Sequence, residues 1–241
     1  MISLHNKDCL EFMQTLPDNS IDFCLTDPPY GTTQNKWDSV IPFEQMWVQL
    51  MRVVKDNGAI ALFGQGVFSC NLSLSNEKNF RYTTVWEKTK AGGFLNANRR
   101  PLQAHEDILI FYRKQPTYIP QFSVGTPYTK KATTNGDTGN YGKFERVGQV
   151  AVNEGKRYPR SIVKFSNDNH NSLHPTQKPV ALLEYLIKTY TLEGETVLDF
   201  TMGSGSTAVA CLNTGRKFVG CELDPVYFEV TKERLKNARP V

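Results

Sequence analysis

Four consecutive residues, Asp27-Pro28-Pro29-Tyr30, combine a carboxylate, a backbone without donors and an aromatic face. Each proline fixes its φ and lacks an N–H, so the turn is stiff and its carbonyls are free to face a cleft. An aromatic amino group is a poor nucleophile because its lone pair is delocalised into the ring. Two acceptors on its hydrogens, the Asp27 carboxylate and the Pro28 carbonyl, favour a more pyramidal nitrogen. They also hold the positive charge that develops when it attacks. Tyr30 offers a ring on which a planar base can stack. The same residues also suit a rigid strand-end turn around a buried tyrosine, so the motif needs a second feature beside it.

That second feature is Val197-Leu198-Asp199-Phe200-Thr201-Met202-Gly203-Ser204-Gly205-Ser206-Thr207. It follows an apolar run and opens a helical one. Glycines there allow a tight turn and a close backbone approach to a cofactor. Glu222 ends the next apolar run, where a carboxylate can accept from ribose hydroxyls. The third glycine of a dinucleotide fingerprint is absent, since Ser206-Thr207-Ala208 follows. A nucleoside cofactor carrying an electrophilic sulfonium methyl would make direct displacement by an amino group a matter of positioning. A base inside a duplex would first have to leave the stack.

The elements that position these residues read as alternating strands and helices. Ile2 to Lys7, Ile21 to Thr26, Ala59 to Phe63, Tyr82 to Glu87, Asp107 to Tyr112, Thr196 to Phe200 and Phe218 to Cys221 are predicted strands. Cys9 to Leu16, Phe43 to Val54, Val67 to Leu74, Pro179 to Tyr190, Thr207 to Leu212 and Asp224 to Asn237 carry helical spacing. Asp56-Asn57-Gly58 is predicted to turn the chain into its third strand. Such alternation predicts an α/β fold with a doubly wound, mostly parallel sheet. From about 113 to 171 periodicity fades and loop residues, aromatics and cations dominate. A segment this long without regular pattern is usually functional or mobile.

Residues 88–170 hold 14 Lys or Arg against 6 Asp or Glu, so the middle of the chain is basic and the rest is acidic. This suits a polyanion partner, and equally a solvated surface. The five cysteines, Cys9, Cys24, Cys70, Cys211 and Cys221, have no Cys-x-x-Cys spacing, which argues for buried thiols and against a disulfide framework or metal site. No apolar run is long enough for a membrane span, and Lys7 and Asp8 interrupt any signal-peptide core. A cytoplasmic protein is the expectation.

In motif order the chain resembles the amino-group DNA methyltransferases, specifically the permuted β group. In that family an Asp-Pro-Pro-Tyr motif comes first. A target-recognition insertion follows, then a His-Pro-Thr-Gln-Lys-Pro segment, then the glycine-rich loop. Here these fall at 27–30, 113–171, 174–179 and 199–207.

The resemblance implies a Rossmann-like, circularly permuted methyltransferase sheet. Its catalytic half would be 1–112, its irregular target-recognition insertion 113–171 and its cofactor half 172–241. It implies S-adenosylmethionine as cofactor and double-stranded DNA as partner, with a homodimer and a cognate restriction enzyme as further expectations. Asp27, Pro28, Pro29 and Tyr30 would be catalytic. Asp199, Gly203 and Gly205 would surround the methionine part of the cofactor, and Glu222 its ribose. Asp8 and Cys9 would meet its adenine, and Thr176 and Lys178 would reach it. Asp27, Phe200, Ser204 and Thr207 complete the expected cofactor set. The family pattern Asp-Pro-Phe-x-Gly-x-Gly is broken here, because the aromatic Phe200 sits one residue early. Neighbouring strand residues face opposite ways, which bears on that contact.

The implied activity is transfer to the 6-amino group of adenine. The 4-amino group of cytosine is the alternative, though Ser-Pro-Pro-Tyr is commoner there. Attack through carbon-5 of cytosine needs a Pro-Cys nucleophile, and no cysteine here follows a proline. A dinucleotide-dependent oxidoreductase is the alternative from another class. Lys88, Lys90, Gly92-Gly93 and Arg99-Arg100 suit phosphate contacts or a solvated loop equally. His105-Glu106-Asp107 reads simply as a strand start, and His174 as structural.

Overall fold

The computed structural model describes residues 1–32, 38–132, 136–138, 142–144, 147–167 and 177–238. Contacts divide the chain into a large unit, Met1–Ile119 with Ser161–Val241, and a small one, Pro120–Arg160.

The large unit is built on β1 (Ile2–Asn6), α1 (Cys9–Gln14), β2 (Ile21–Thr26), α2 (Phe43–Val53), β3 (Val54–Gly64), α3 (Gly66–Leu74), β4 (Phe80–Gly92) and β5 (Gln103–Phe111). In the small unit β6 (Ser123–Val124) pairs with β11 (Lys156–Arg157), β7 (Tyr128–Lys131) with β10 (Val150–Asn153), and β8 (Gly136–Thr138) with β9 (Gly142–Phe144). The chain then adds β12 (Ile162–Phe165), α4 (Val180–Tyr190), β13 (Thr196–Asp199), α5 (Ser206–Asn213), β14 (Lys217–Glu222) and α6 (Pro225–Asn237) to the large unit.

Eight strands form one sheet in the order β1-β14-β13-β2-β3-β5-β4-β12. Every neighbouring pair is parallel except the two made by β5. The alternation within β3 shows why its run is continuously apolar. Ile60 and Leu62 join the core on one face with Met46, Trp47 and Leu50 of α2. Ala59, Ala61 and Phe63 join the other core with Leu182, Leu186 and Ile187 of α4 and Ala208 and Cys211 of α5. A strand covered on both faces has no polar side to show.

Helix ends follow local chemistry. Asp8 caps α1 by accepting from Leu10 N and Glu11 N, and Asp224 caps α6 by accepting from Val226 N, with Pro225 in the first turn.

The strand boundaries differ from the sequence reading in three places. The Asp56-Asn57-Gly58 turn signal is absorbed into β3 as an irregularity, since the register jumps from Ile21↔Val54 to Phe23↔Ala59. Gly58 is required there, because an added Cβ would lie 2.7 Å from Asp22 O. β4 and β5 run longer than their apolar centres, because antiparallel pairing continues through Glu87↔His105 to Gly92↔Gln103. Finally, Ile162–Phe165 lies within the stretch read as irregular, yet it pairs with β4 and closes one edge of the large sheet.

Within the small unit cations lie over aromatic rings, Lys156 over Phe122 at 5.9 Å and Arg157 over Tyr128 at 5.0 Å. Four of the five cysteines are buried and Cys70 is exposed. Among the described residues no helix is long and apolar enough to cross a membrane.

Candidate active site

In an open parallel sheet ligands sit outside the carboxyl ends of the strands, where successive crossovers go to opposite faces. Here that point lies between β2 and β13. The helix after β2 packs on one face and the helix after β13 on the other. Four neighbouring strand ends therefore deliver carboxylates in spatial order. These are Asp8 beyond β1, Glu222 ending β14, Asp199 ending β13 and Asp27 after β2. All four line one cavity of about 700 Å³ in the large unit. That volume suits a drug-sized or nucleoside ligand.

The glycine loop is tied down from below. Asp199 Oδ2 accepts from Thr207 Oγ1 at 2.6 Å, and Oδ1 accepts from Thr26 Oγ1 at 3.1 Å and from Thr201 N at 3.2 Å. Burial pushes the Asp199 carboxyl up to about 7 despite these donors. Glu222 accepts from Gly203 N through Oε2 at 2.8 Å and from Asp224 N through Oε1 at 2.9 Å. Thr231 of α6 donates to Gly203 O at 2.8 Å. Arg234 donates to Ser204 O at 2.9 Å and to Ser206 Oγ at 3.0 Å. The loop is thus held before any ligand arrives.

Gly203, Ser204, Thr207 and Cys9 line the cavity as well, whereas Gly205 does not. Gly205 caps α5 at φ +76°, and an added Cβ would lie 2.6 Å from Thr231 Cγ2. Its role is the approach of the loop to α6. Phe200 also lines the cavity but is only 1% exposed and packs in the core with Cys9 and Cys221. Thr176 and His174 lie outside the described residues.

Pro28 and Pro29 line the same cavity. The Asp27 carboxylate is already engaged on both oxygens. Tyr30 Oη donates to Oδ1 at 2.6 Å, and the Lys178 ammonium donates to Oδ2. The Tyr30 ring packs against Phe68 with centroids 4.8 Å apart, so one of its faces is taken. Burial raises the Asp27 carboxyl above its ordinary value. Lys178 opposes that rise and Glu106 adds to it. Burial likewise raises the Tyr30 hydroxyl, helped by Asp27.

Lys178, read from the motif as a cofactor contact, thus meets the Asp-Pro-Pro-Tyr carboxylate. It also lies 3.3 Å from Glu106 Oε2. Glu106 is in turn paired with Lys88. Burial would lower the Lys178 ammonium, but Asp27 and Glu106 outweigh it and hold the pKa above the ordinary lysine value.

Glu106 and Lys88 were not singled out as a pair by sequence reasoning. Their signal is weak but present. Trp86↔Glu106 is a cross-strand pair, which leaves Lys88 two residues along on the same side of β4. Thr26 and Thr201 were also missed, because a threonine beside an aspartate is unremarkable in a sequence.

A family model described as DNA methylase matches residues 21–233. The chain is 24% identical over 249 residues to the Type II methyltransferase M1.MboII of Moraxella bovis, covering 93% of this chain and 92% of that protein. It is 29% identical over 242 residues to the Type II methyltransferase M.HpaI of Haemophilus parainfluenzae, covering 95% and 72%. Its fold matches the crystal structure of the M1.HpyAVI–SAM complex with a TM-score of 0.65 at 25% identity, covering 97% of this chain and 100% of that one. It also matches the PvuII DNA methyltransferase (cytosine-N4-specific) with a TM-score of 0.67 at 15% identity, covering 97% and 86%, a likeness of fold alone.

Proposed function

The chain belongs to the DNA methylase family, whose model spans residues 21–233, and from that premise we propose that it methylates the 6-amino group of adenine in double-stranded DNA. S-adenosylmethionine is the proposed methyl donor. The observation that carries this reading is the meeting of the Asp27 turn and the Asp199–Gly203 loop in one cavity, on adjacent strands β2 and β13.

The residues present fit such a cofactor. The cavity is large enough, and Glu222 and Asp8 stand at the strand ends where ribose and adenine would lie. The Asp199 loop sits between them and Asp27, where the methionine part would lie. When bound, the cofactor supplies an electrophilic methyl on a sulfonium.

The chain's own work is to hold the target amino group. Asp27 and the Pro28 carbonyl accept its hydrogens, and Tyr30 orients Asp27 through the 2.6 Å bond. With the cofactor bound, its sulfonium would supply the methyl to the nitrogen so held, the C–S electron pair staying with sulfur, and the amino proton would leave through the Asp27 carboxylate that accepts it, on to solvent. Reaching the base requires flipping it from the duplex. Most of the rate comes from positioning and from acceptors aimed at developing charge.

Adenine is favoured over the 4-amino group of cytosine by Asp27 at the head of the motif, where serine is commoner for cytosine. The test is incubation with S-adenosylmethionine and duplex DNA, followed by digestion and mass spectrometry of the nucleosides. N6-methyladenine is expected. N4-methylcytosine would overturn the base assignment, and methylated RNA without methylated DNA would overturn the substrate class.

The reading extends to partners. The small unit, with its cation-stacked aromatics, is the proposed core of the target-recognition region. The Type II names of the relatives support a cognate endonuclease for the same sequence. A homodimer is proposed on family resemblance.

A further inference from the structure

Both carboxylate oxygens of Asp27 already accept a donor, Oδ1 from Tyr30 and Oδ2 from Lys178. Under the reading above, a substrate amino group has to compete with one of these donors for its place. Tyr30 belongs to the same turn and packs on Phe68, so it is the fixed donor. Lys178 comes from the segment before α4, and it is the donor that has somewhere else to go.

That place is Glu106. Its Oε1 is paired with Lys88. Its Oε2 is buried, and the cation facing it is the Lys178 ammonium at 3.3 Å. That ion pair is looser than the one Lys178 makes with Asp27. A buried carboxylate oxygen held this loosely can take its cation closer. Lys88, Glu106, Lys178 and Asp27 thus form a row of alternating charge, with side-chain exposures of 15%, 13%, 9% and 22%.

We propose that Glu106 is a positioning residue that receives the Lys178 ammonium from Asp27 when the substrate amino group enters. The transfer frees Asp27 Oδ2 to accept an amino hydrogen while Tyr30 keeps Oδ1. Lys178 stays charged and paired throughout. Without Glu106, freeing Asp27 would strand a buried ammonium, which a protein interior strongly opposes. Lys88 keeps Glu106 ionised and turned so that Oε2 faces Lys178. The inference rests on the methyl-transfer reading, because only a substrate hydrogen-bond donor gives Lys178 a reason to move.

The experiment is single-turnover methylation of an adenine-containing duplex across pH by wild type, Glu106→Gln, Lys178→Met and the double variant. Calorimetric S-adenosylmethionine affinity is measured in parallel. Glu106→Gln is expected to slow transfer by about 100-fold, with cofactor affinity within about threefold of wild type.

The pH profile distinguishes positioning from mere structure. The charged and titratable groups facing Asp27 are Lys178, Glu106, Tyr30 and Asp199, with Lys88 behind Glu106. The Glu106 charge raises the Asp27 carboxyl. Removing it therefore moves the acid limb of the rate profile to lower pH even as the plateau falls. Adding Lys178→Met to Glu106→Gln is expected to recover about tenfold in rate, because the ammonium that blocks Asp27 is then gone.

If Glu106→Gln does not fold, Glu106→Asp replaces it. Glu106→Asp keeps the charge but withdraws it, and should lose rate with the limb moved in the same direction, toward lower pH, by less than full removal of the charge would move it. Wild-type rate and limb in the Glu106 variant overturn the inference while leaving the methyl-transfer reading intact, and so does a double variant no faster than the single. No transfer by wild type to any DNA removes that reading and the inference with it.

Discussion

The Thr201 hydroxyl donates to the backbone carbonyl of Asp27 at 3.0 Å. In the opposite direction Thr26, just before Asp27, donates to Asp199, just before Thr201's loop. The proposed substrate turn and the proposed cofactor loop are therefore stitched to each other crosswise. Neither can shift without the other, which is what a reaction dependent on positioning needs.

Asp27→Ala should abolish measurable methyl transfer, and Asp27→Asn should lower the rate by about 10²- to 10³-fold. The Asp199 and Glu222 hydrogen bonds do not involve the Asp27 side chain, so cofactor affinity measured by calorimetry should stay near wild type. Full activity in Asp27→Ala would sink the mechanism.

Asp199 predicts a pH dependence with a definite sign. Its carboxyl lies at about 7 in the fold against an ordinary 3.8. Between those values the folded chain keeps a proton that the unfolded chain has released. This one group therefore lowers stability as pH rises through that window, and its effect is constant above it. In Asp199→Asn that slope disappears. The difference in Tm, wild type minus variant, should fall as pH rises from about 5 to about 7 and then level off. A difference that grows with pH would refute the assignment.

The same carboxyl links cofactor binding to protons. A cationic cofactor beside Asp199 favours its ionised form. S-adenosylmethionine should therefore bind more tightly as pH rises toward 7, the carboxyl's value, and should release protons to the buffer. Calorimetry in two buffers of different ionisation enthalpy reads this directly. Identical apparent enthalpies in both would count against it.

Gly205→Ala should destabilise the protein by about 1–3 kcal/mol, since alanine would be forced into a left-handed conformation against Thr231. Denaturant unfolding measures this. Because Gly205 caps α5 beneath the loop, the surviving folded protein should also bind cofactor more weakly.

Glu222→Ala leaves the Gly203 and Asp224 N–H groups without their acceptor. Loss of such charge-assisted bonds costs about 1.5–3 kcal/mol, and cofactor affinity should weaken by tenfold or more. Unchanged affinity would place the ribose elsewhere.

Much of this molecule can be read from local pattern. Phe23 to Leu25 and Phe218 to Cys221 are apolar runs of the kind that burial on both faces demands. Pro179, Asp224 and Pro225 mark helix starts by their own chemistry. The elements around 113–171 were harder. Ile162–Phe165 is too short to show a period, and it is a strand only because β4 offers it an edge. β4 and β5 outrun their apolar centres because a partner strand, rather than side-chain type, supplies their hydrogen bonds.

The site divides in the same way. Asp27-Pro28-Pro29-Tyr30 and the Asp199–Thr207 loop announce themselves because proline, glycine and carboxylate at fixed short spacings constrain the backbone locally. That information lies within a few residues and survives in a linear string. The pairing of Lys178 with Asp27 and with Glu106, the grip of α6 on the glycine loop and the Thr26–Asp199 bond join positions far apart in the chain. They arise only when parallel strands set distant segments side by side, and burial then removes the water that would otherwise have satisfied each charge alone. Residue types determined which chemistry the chain could attempt. Tertiary structure decided which carboxylate meets which ammonium, because proximity and desolvation are properties of the packed sheet.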